Sequence, residues 1–319
     1  MNSFLRGPKL FWLGAWLAVA ITARAAEPAS LFPAGVKRVV FLGDSITYAG
    51  QYVEDIAAYQ RARFPDRPVE IINVGLPSET VSGLSEPGHA DGKFPRPDLH
   101  ERLARVLAKT RPDLVFACYG MNDGIYLPLN AARFQAYRDG IEWLHAQVTQ
   151  AGAVIIHVTP PVFDEVKGGH AGYEAVLTEY SAWLVSQRTN GWDVIDLHTP
   201  MKQYLAEQRA RDPAFGLTKD GIHPGEVGHW LMAQAILAHL GGREAQSADS
   251  INALLAPYPE GSQILARVQA SQRVWKDAWL TETGHKRPNM KRGLPMVIDP
   301  LTNEARLLTN AAPSAPKAP

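Results

Sequence analysis

Lys37-Arg-Val-Val-Phe-Leu-Gly-Asp-Ser45-Ile-Thr47 is the stretch on which the fold turns. A β-branched and apolar run too short for a helix ends abruptly in Gly-Asp-Ser, so Lys37–Leu42 reads as a strand covered on both faces. Four further runs of this kind follow, at Val69–Asn73, Asp113–Tyr119, Ala153–Thr159 and Asp193–Leu197. Helical patterns fill the gaps: Tyr52–Phe64; Leu99–Lys109, with Asp98 and Glu101 in capping-box spacing; Ala131–Gln150, capped by Asn130 and ended near Gly152; Tyr173–Arg188; and Glu226–Leu240. Strands alternating with helices specify an α/β domain with a five-stranded parallel sheet. Two connections, Val74–Pro97 and Gly120–Leu129, are long and rich in Gly and Pro, as functional loops tend to be.

Composition narrows the class. The 319 residues carry 32 Lys+Arg against 32 Asp+Glu, 46% apolar side chains and one cysteine. That balance excludes a disordered, collagenous or disulfide-stapled chain, and with no basic stripe nothing electrostatic favours nucleic acid. A globule of this size buries about three quarters of its unfolded surface, enough for one large domain and an appendage. Cys118, in the run Leu114-Val-Phe-Ala-Cys118, reads as a small buried hydrophobe.

At the N-terminus Arg6 and Lys9 precede twelve apolar residues, Leu10–Ile21, followed by Ala23-Arg24-Ala25. This order reads as a cleaved export signal over 1–25, and the apolar run is too short to span a bilayer. Its removal takes away Arg6, Lys9 and Arg24 and no acid, leaving 29 basic against 32 acidic side chains. The expectation is a secreted or periplasmic protein with no stable membrane insertion.

The polar motifs cluster at strand ends. Ser45 follows the first strand, where open α/β sheets bind ligands. Asn73-Val-Gly75-Leu-Pro-Ser78 follows the second and Gly120-Met-Asn122-Asp123-Gly124 the third. Together they offer backbone N–H groups and an amide NH₂, the inventory that holds a developing oxyanion. Asp220-Gly-Ile-His223-Pro224 precedes the last helix, and an Asp three residues before a His can fold back onto Nδ1 and turn Nε2 toward a nucleophile.

In order and in residues, Phe41-Leu-Gly-Asp-Ser45, Tyr119-Gly-Met-Asn-Asp123 and Asp220-Gly-Ile-His223 resemble the SGNH (GDSL) hydrolase family over roughly Val36–Leu240. The resemblance implies a flavodoxin-like three-layer α/β/α sandwich and ester hydrolysis without metal or other cofactor. Carried over, it makes Ser45 the nucleophile, His223 the general base and Asp220 its orienting carboxylate, with Asn122 and the N–H of Ser45 in the oxyanion hole. The second block departs from the family pattern. The position five residues after Asn73, where the family has a glycine, holds Ser78, and the nearest glycine is Gly75. Ser78 is the preferred backbone donor and Gly75 the alternate, provided φ at Ser78 does not demand glycine.

Other constellations are weaker. Gly83-Leu-Ser85-Glu-Pro87 lacks the second glycine of a nucleophile elbow and follows no strand, and the ten histidines show no zinc spacing. His89, Asp44 and Asp123 are placed at a substrate rim. The polar loop Ser78–Pro97 favours an O-acyl ester, acetyl before longer chains, on a carbohydrate. A lysophospholipase or arylesterase and a non-catalytic carbohydrate-binding protein on the same fold are the alternatives. The hydrolase domain is expected over 33–242 and a helical extension over 243–281, with an irregular tail over 282–319, disordered at its end. In the extension Ile264, Val268, Trp275 and Trp279 share one helical face beside Leu265. That stripe reads as packing on the domain, with an indole stacked on substrate sugar as the other reading.

Overall fold

The five apolar runs form one parallel sheet in the computed structural model of the chain, which describes residues 30–299 and 302–308. The strands are β1 (Arg38–Gly43), β2 (Glu70–Asn73), β3 (Leu114–Cys118), β4 (Val154–Val158) and β5 (Asp193–Ile195), in the order β2-β1-β3-β4-β5. All six residues of β1 are buried, as a strand flanked by two others and covered on both faces must be. The signal-like segment 1–25 and the tail 311–319 lie outside the described residues.

The helices are α1 (Ser45–Ala49), α2 (Gln51–Arg63), α3 (Leu103–Thr110), α4 (Ala131–Gln150), α5 (Glu165–Gly168), α6 (Tyr173–Ser186), α7 (His198–Arg211), α8 (Glu226–His239), α9 (Ile251–Leu255) and α10 (Gly261–Thr283). From β1 the chain steps one way to β2, and from β3 to β5 it steps the other way. Right-handed crossovers therefore place α2 and α4 on opposite faces. On one face α2 packs against α8; on the other Tyr137 of α4 stacks on Tyr180 of α6, centroids 4.2 Å apart. This is the expected three-layer sandwich.

Several expected boundaries shift. The helix read from Tyr52 is preceded by α1, a separate turn begun by the N-cap of Asp44 and ended at Gly50. The helix read over Leu99–Lys109 breaks at Arg102 into a 3₁₀ turn, Leu99–Glu101, and α3. Asp98 caps that turn through the N–H of His100, while Glu101 pairs with Arg105 at 2.9 Å instead of closing a capping box. Helix α7 went unread: its buried stripe is only His198, Met201 and Leu205, on an otherwise polar sequence. The tail read as irregular contains a hairpin, β6 (Met296–Ile298) with β7 (Ala305–Leu307).

The extension closes the sheet. Helix α10 lies along α2 and the edge strand β2, where Gln272 Nε2 donates to the carbonyl of Ile71 at 2.9 Å. A side chain thereby takes up an acceptor that an edge strand leaves free. Trp279 is 1% exposed, with the Arg38 guanidinium 5.9 Å from its ring centroid. That burial excludes Trp279 from stacking on a sugar and favours the packing reading. Trp279→Ala should cost about 3–5 kcal/mol, lowering Tm by roughly 6–20 °C in a thermal melt. Trp275→Ala, at a partly exposed position, should cost less. A chain ended at Gly242 should melt lower still, and unchanged melting on truncation would make the extension an independent appendage.

Candidate active site

Helix α1 starts where β1 ends, so Ser45 is its first residue and the N–H of Ser45 has no intrahelical acceptor. From 178 residues further along the chain, His223 Nε2 meets Ser45 Oγ at 2.9 Å. A tight turn delivers it: Gly221 takes φ +84, and a Cβ there would stand 2.3 Å from the Cα of Gly168. Within the turn Asp220 Oδ1 accepts from the N–H of Ile222 (3.0 Å) and of His223 (2.8 Å), and Oδ2 lies 2.6 Å from His223 Nδ1. Partial burial pushes the Asp220 carboxyl up, yet the hydrogen bonds from the His223 ring and the two amides outweigh it and hold it at about 2. An ionised Asp220 only accepts, so the Nδ1 proton belongs to His223, and Nε2 is left to accept from Ser45.

Two further groups, on the segments that follow β3 and β2, are candidate donors. Asn122 follows β3 and is 3% exposed. Its Oδ1 accepts from Arg96 Nη1 (3.0 Å) and Tyr126 Oη (3.2 Å), while Nδ2 donates to the carbonyl of Glu79 at 3.1 Å. One Nδ2 proton remains. In the second block the N–H of Gly75 is spent on Asn73 Oδ1 at 2.9 Å. Gly75 is glycine for space: a Cβ there would lie 2.4 Å from the backbone N of Tyr48. Ser78 takes φ +69, a left-handed conformation that favours glycine, and its N–H meets no acceptor among the described residues. The residue type departs from the family pattern while the backbone keeps a glycine-like shape.

Two of the three rim residues sit elsewhere. Asp44 is 3% exposed and caps α1 through the N–H of Ile46 at 2.9 Å. Asp123 is fully buried, and its Oδ1 accepts from the amides of Val81 and Ser82, both at 2.8 Å. Both are internal fasteners, because a strand-end carboxylate meets backbone N–H groups before it meets solvent. Burial, opposed by these amide bonds, pushes Asp44 up to about 7 and Asp123 up to about 6. His89 is half-buried on the long loop, 3.4 Å from Glu86 and edge-on to Phe94. Cys118 is buried as expected, its Sγ 3.7 Å from the carbonyl of Thr159.

The sequence reading missed the residues that hold these candidate donors. Glu79, fully buried, receives Arg102 Nε and Nη2 (2.6 and 2.7 Å) and Tyr119 Oη (2.7 Å). Arg96 is clamped by both oxygens of Glu86 at 2.7 Å. From the extension Lys276 Nζ donates to the carbonyl of Tyr48 (2.6 Å), and from the tail that follows Arg287 Nε donates to that of Pro77 (2.9 Å). No local pattern marks these pairs, whose partners stand 10 to 228 residues apart. The described residues contain no group of three or more His, Cys, Asp or Glu placed to hold a metal.

The model of the GDSL-like lipase/acylhydrolase family matches residues 41–231. Among solved structures, a catalytic mutant of an acetylxylan esterase from Geobacillus stearothermophilus aligns with a TM-score of 0.51 at 19% identity, covering 66% of this chain and 96% of its own. A gut microbial diltiazem-metabolizing enzyme aligns with a TM-score of 0.53 at 24% identity over 67% of this chain, which spans about half (49%) of that protein. At these identities the likeness is one of fold. No curated protein matches the chain significantly.

The turn at Ser78 makes its own prediction. A left-handed non-glycine residue costs about 1–2 kcal/mol, and part of that is recovered when glycine replaces it. Ser78→Gly should hold or raise Tm, whereas Ser78→Val, β-branched in the same conformation, should lower it. Equal melting of the two variants would show that the turn does not adopt φ +69 in solution.

Proposed function

The chain belongs to the GDSL-like lipase/acylhydrolase family and is an SGNH-type ester hydrolase; from that premise we propose that Ser45, His223 and Asp220 form its catalytic triad and that short O-acyl esters of a carbohydrate are its substrates. What supports the triad is the unbroken relay from Asp220 through His223 to Ser45, with links of 2.6 and 2.9 Å. In the first half-reaction Ser45 Oγ bonds to the ester carbonyl carbon as its proton passes to Nε2, and the carbonyl π pair moves onto oxygen. The N–H of Ser45, the N–H of Ser78 and the free Nδ2 proton of Asn122 face that charge. Collapse expels the alcohol, which takes the proton from Nε2. Water then gives a proton to Nε2 as it bonds to the acyl carbon, and collapse breaks the acyl–Oγ bond, frees the acid and returns the proton from Nε2 to Ser45 Oγ.

The substrate reading rests on exposure and polarity. The His223 and Asp220 side chains are 47% and 52% exposed, which opens the base side of the site to a bulky alcohol such as a sugar chain. The loop beside it carries Glu86, His89 and Arg96. Exposed Leu127 and Leu129, on the loop that follows Asn122, favour a second reading with a longer acyl chain. Acetate release from acetylated polysaccharides, set against hydrolysis of lysophospholipids, separates the two. Export of the chain rests on residues 1–25 alone; no helix among the described residues is long and apolar enough to cross a membrane.

Ser45→Ala should be nearly inactive on any ester, and a folded variant with normal rates would remove Ser45 from the mechanism. Asn122→Ala should lower kcat by about 10²–10³ with little change in KM. The reverse pattern would make Asn122 a substrate-binding group. Asp220→Asn should cost on the order of 10⁴ in kcat, since the amide favours the wrong tautomer. Asp220 at about 2 should stay ionised wherever the enzyme is active, so Asp220 keeps its charge over the working range. An Asp220 carboxyl signal that titrates inside that range, followed by NMR, would contradict this. Chelators should have no effect.

A further inference from the structure

Two amides outside helix α1 supply the donors assigned above to the oxyanion hole, and each has an arginine on its oxygen. One is the Pro77–Ser78 peptide: its N–H belongs to Ser78, and its oxygen accepts from Arg287 Nε at 2.9 Å. The other is the Asn122 side chain, whose Oδ1 accepts from Arg96 Nη1 at 3.0 Å. We propose that Arg287 and Arg96 are positioning residues that orient and polarise the two amide donors of the oxyanion hole; the assignment rests on the triad and oxyanion reading above.

Geometry carries the first part. The described chain contains no cis peptide bond, and in a trans peptide the C=O and N–H vectors are opposed. Holding the oxygen of Pro77 from one side therefore sets the direction of the Ser78 N–H on the other. This matters at φ +69, where serine does not rest by preference. At Asn122 every polar position but one is occupied. Arg96 and Tyr126 fill Oδ1 and the Glu79 carbonyl takes one Nδ2 proton, so the amide cannot flip without breaking all three contacts.

Electrostatics carries the second part. A cation on an amide oxygen draws electron density from nitrogen and makes the N–H a stronger donor, the cooperative effect of linked hydrogen bonds in a low-dielectric site. Both cations are held for this. Arg96 is 8% exposed, clamped by Glu86, with its guanidinium 5.3 Å from the Tyr126 ring centroid. Arg287 is half-buried, 5.4 Å from the Phe94 ring centroid, with Nη1 on the carbonyl of Pro288 at 3.2 Å. Arg287 lies beyond the residues 41–231 that the family model matches, so this support for the Ser78 donor comes from the tail beyond helix α10.

Steady-state kinetics of full-length variants on an aryl acetate test the proposal, with Tm measured alongside. Arg287→Gln should lower kcat about ten-fold with KM within two-fold, less than the 10²–10³ expected for a lost donor. Arg287→Lys should recover part of it. Affinity for an alkyl boronic acid, which forms a tetrahedral adduct on serine, should fall in parallel with kcat. Arg96→Gln should behave likewise in the wild type, and in an Asn122→Ala background should have no further effect. An unchanged kcat in folded Arg287→Gln, or a loss that lysine does not rescue and that follows Tm, overturns the proposal while leaving Ser45 in its role. Normal turnover by Ser45→Ala would instead overturn the triad reading.

Discussion

A carboxylate buried beneath the site sets its geometry. Burial raises the carboxyl pKa of Glu79 and disfavours its charge, and the bidentate bonds of Arg102 and the Tyr119 hydroxyl compensate. Such a pair is weak evidence for stability, yet it is specific, because removing either partner strands a charge in low dielectric at about 3–5 kcal/mol. Through it the segment after β2, the start of α3 and the end of β3 are fastened at one point. Arg102 also reaches the carbonyl of Val74 at 2.8 Å. The backbone of Glu79 continues the fastening: its carbonyl holds Asn122, and the preceding residue is Ser78. Two of the three proposed oxyanion donors are thus located by one ion pair that touches no substrate.

Topology explains why that point is the site. With the order β2-β1-β3-β4-β5, the crossovers from β1 and β3 leave in opposite directions, and their parting opens a crevice at the strands' carboxyl ends. Ser45 and Asn122 stand at the two lips. The Gly75 backbone comes so close to Tyr48 that no side chain fits between, which draws the β2 lip in beside them. His223 arrives last, on a turn whose Gly221 presses against Gly168 of α5.

The sheet was legible because strands covered on both faces are written as unbroken apolar runs, and polar residues ending such runs stand out. Ser45 and Asn122 were read as candidates in that way, and Asp220 and His223 from their spacing ahead of the last helix. Asp44 and Asp123 carry the same strand-end signature but face inward, and spacing cannot tell a carboxylate that meets solvent from one that meets amides. Ser78 against Gly75 could not be decided by residue type either; it turns on which N–H the local turn consumes. Arg96, Arg102 and Arg287 were invisible because a guanidinium finds its partner through the fold, 23 residues away for Glu79 and 210 for Pro77. The hairpin β6–β7 was missed for a related reason: three-residue strands show no period.

Exposure divides the proposed site into two halves, and the proposed mechanism gives each different work. The His223–Asp220 pair is about half exposed, so water screens its charges and its value lies in direction, the fixed tautomer and the aim of Nε2. In the proposed mechanism the base must also be reached by the leaving alcohol and by the water that hydrolyses the acyl-enzyme, which an open position permits. On the other side Asn122 and Arg96 are buried, and there each dipole acts with little screening. Charge appears on the carbonyl oxygen and must be met by groups already in place, because reorganising them during the reaction would consume the stabilisation they offer. Fixed donors therefore belong on the buried side and the proton carrier on the wet one.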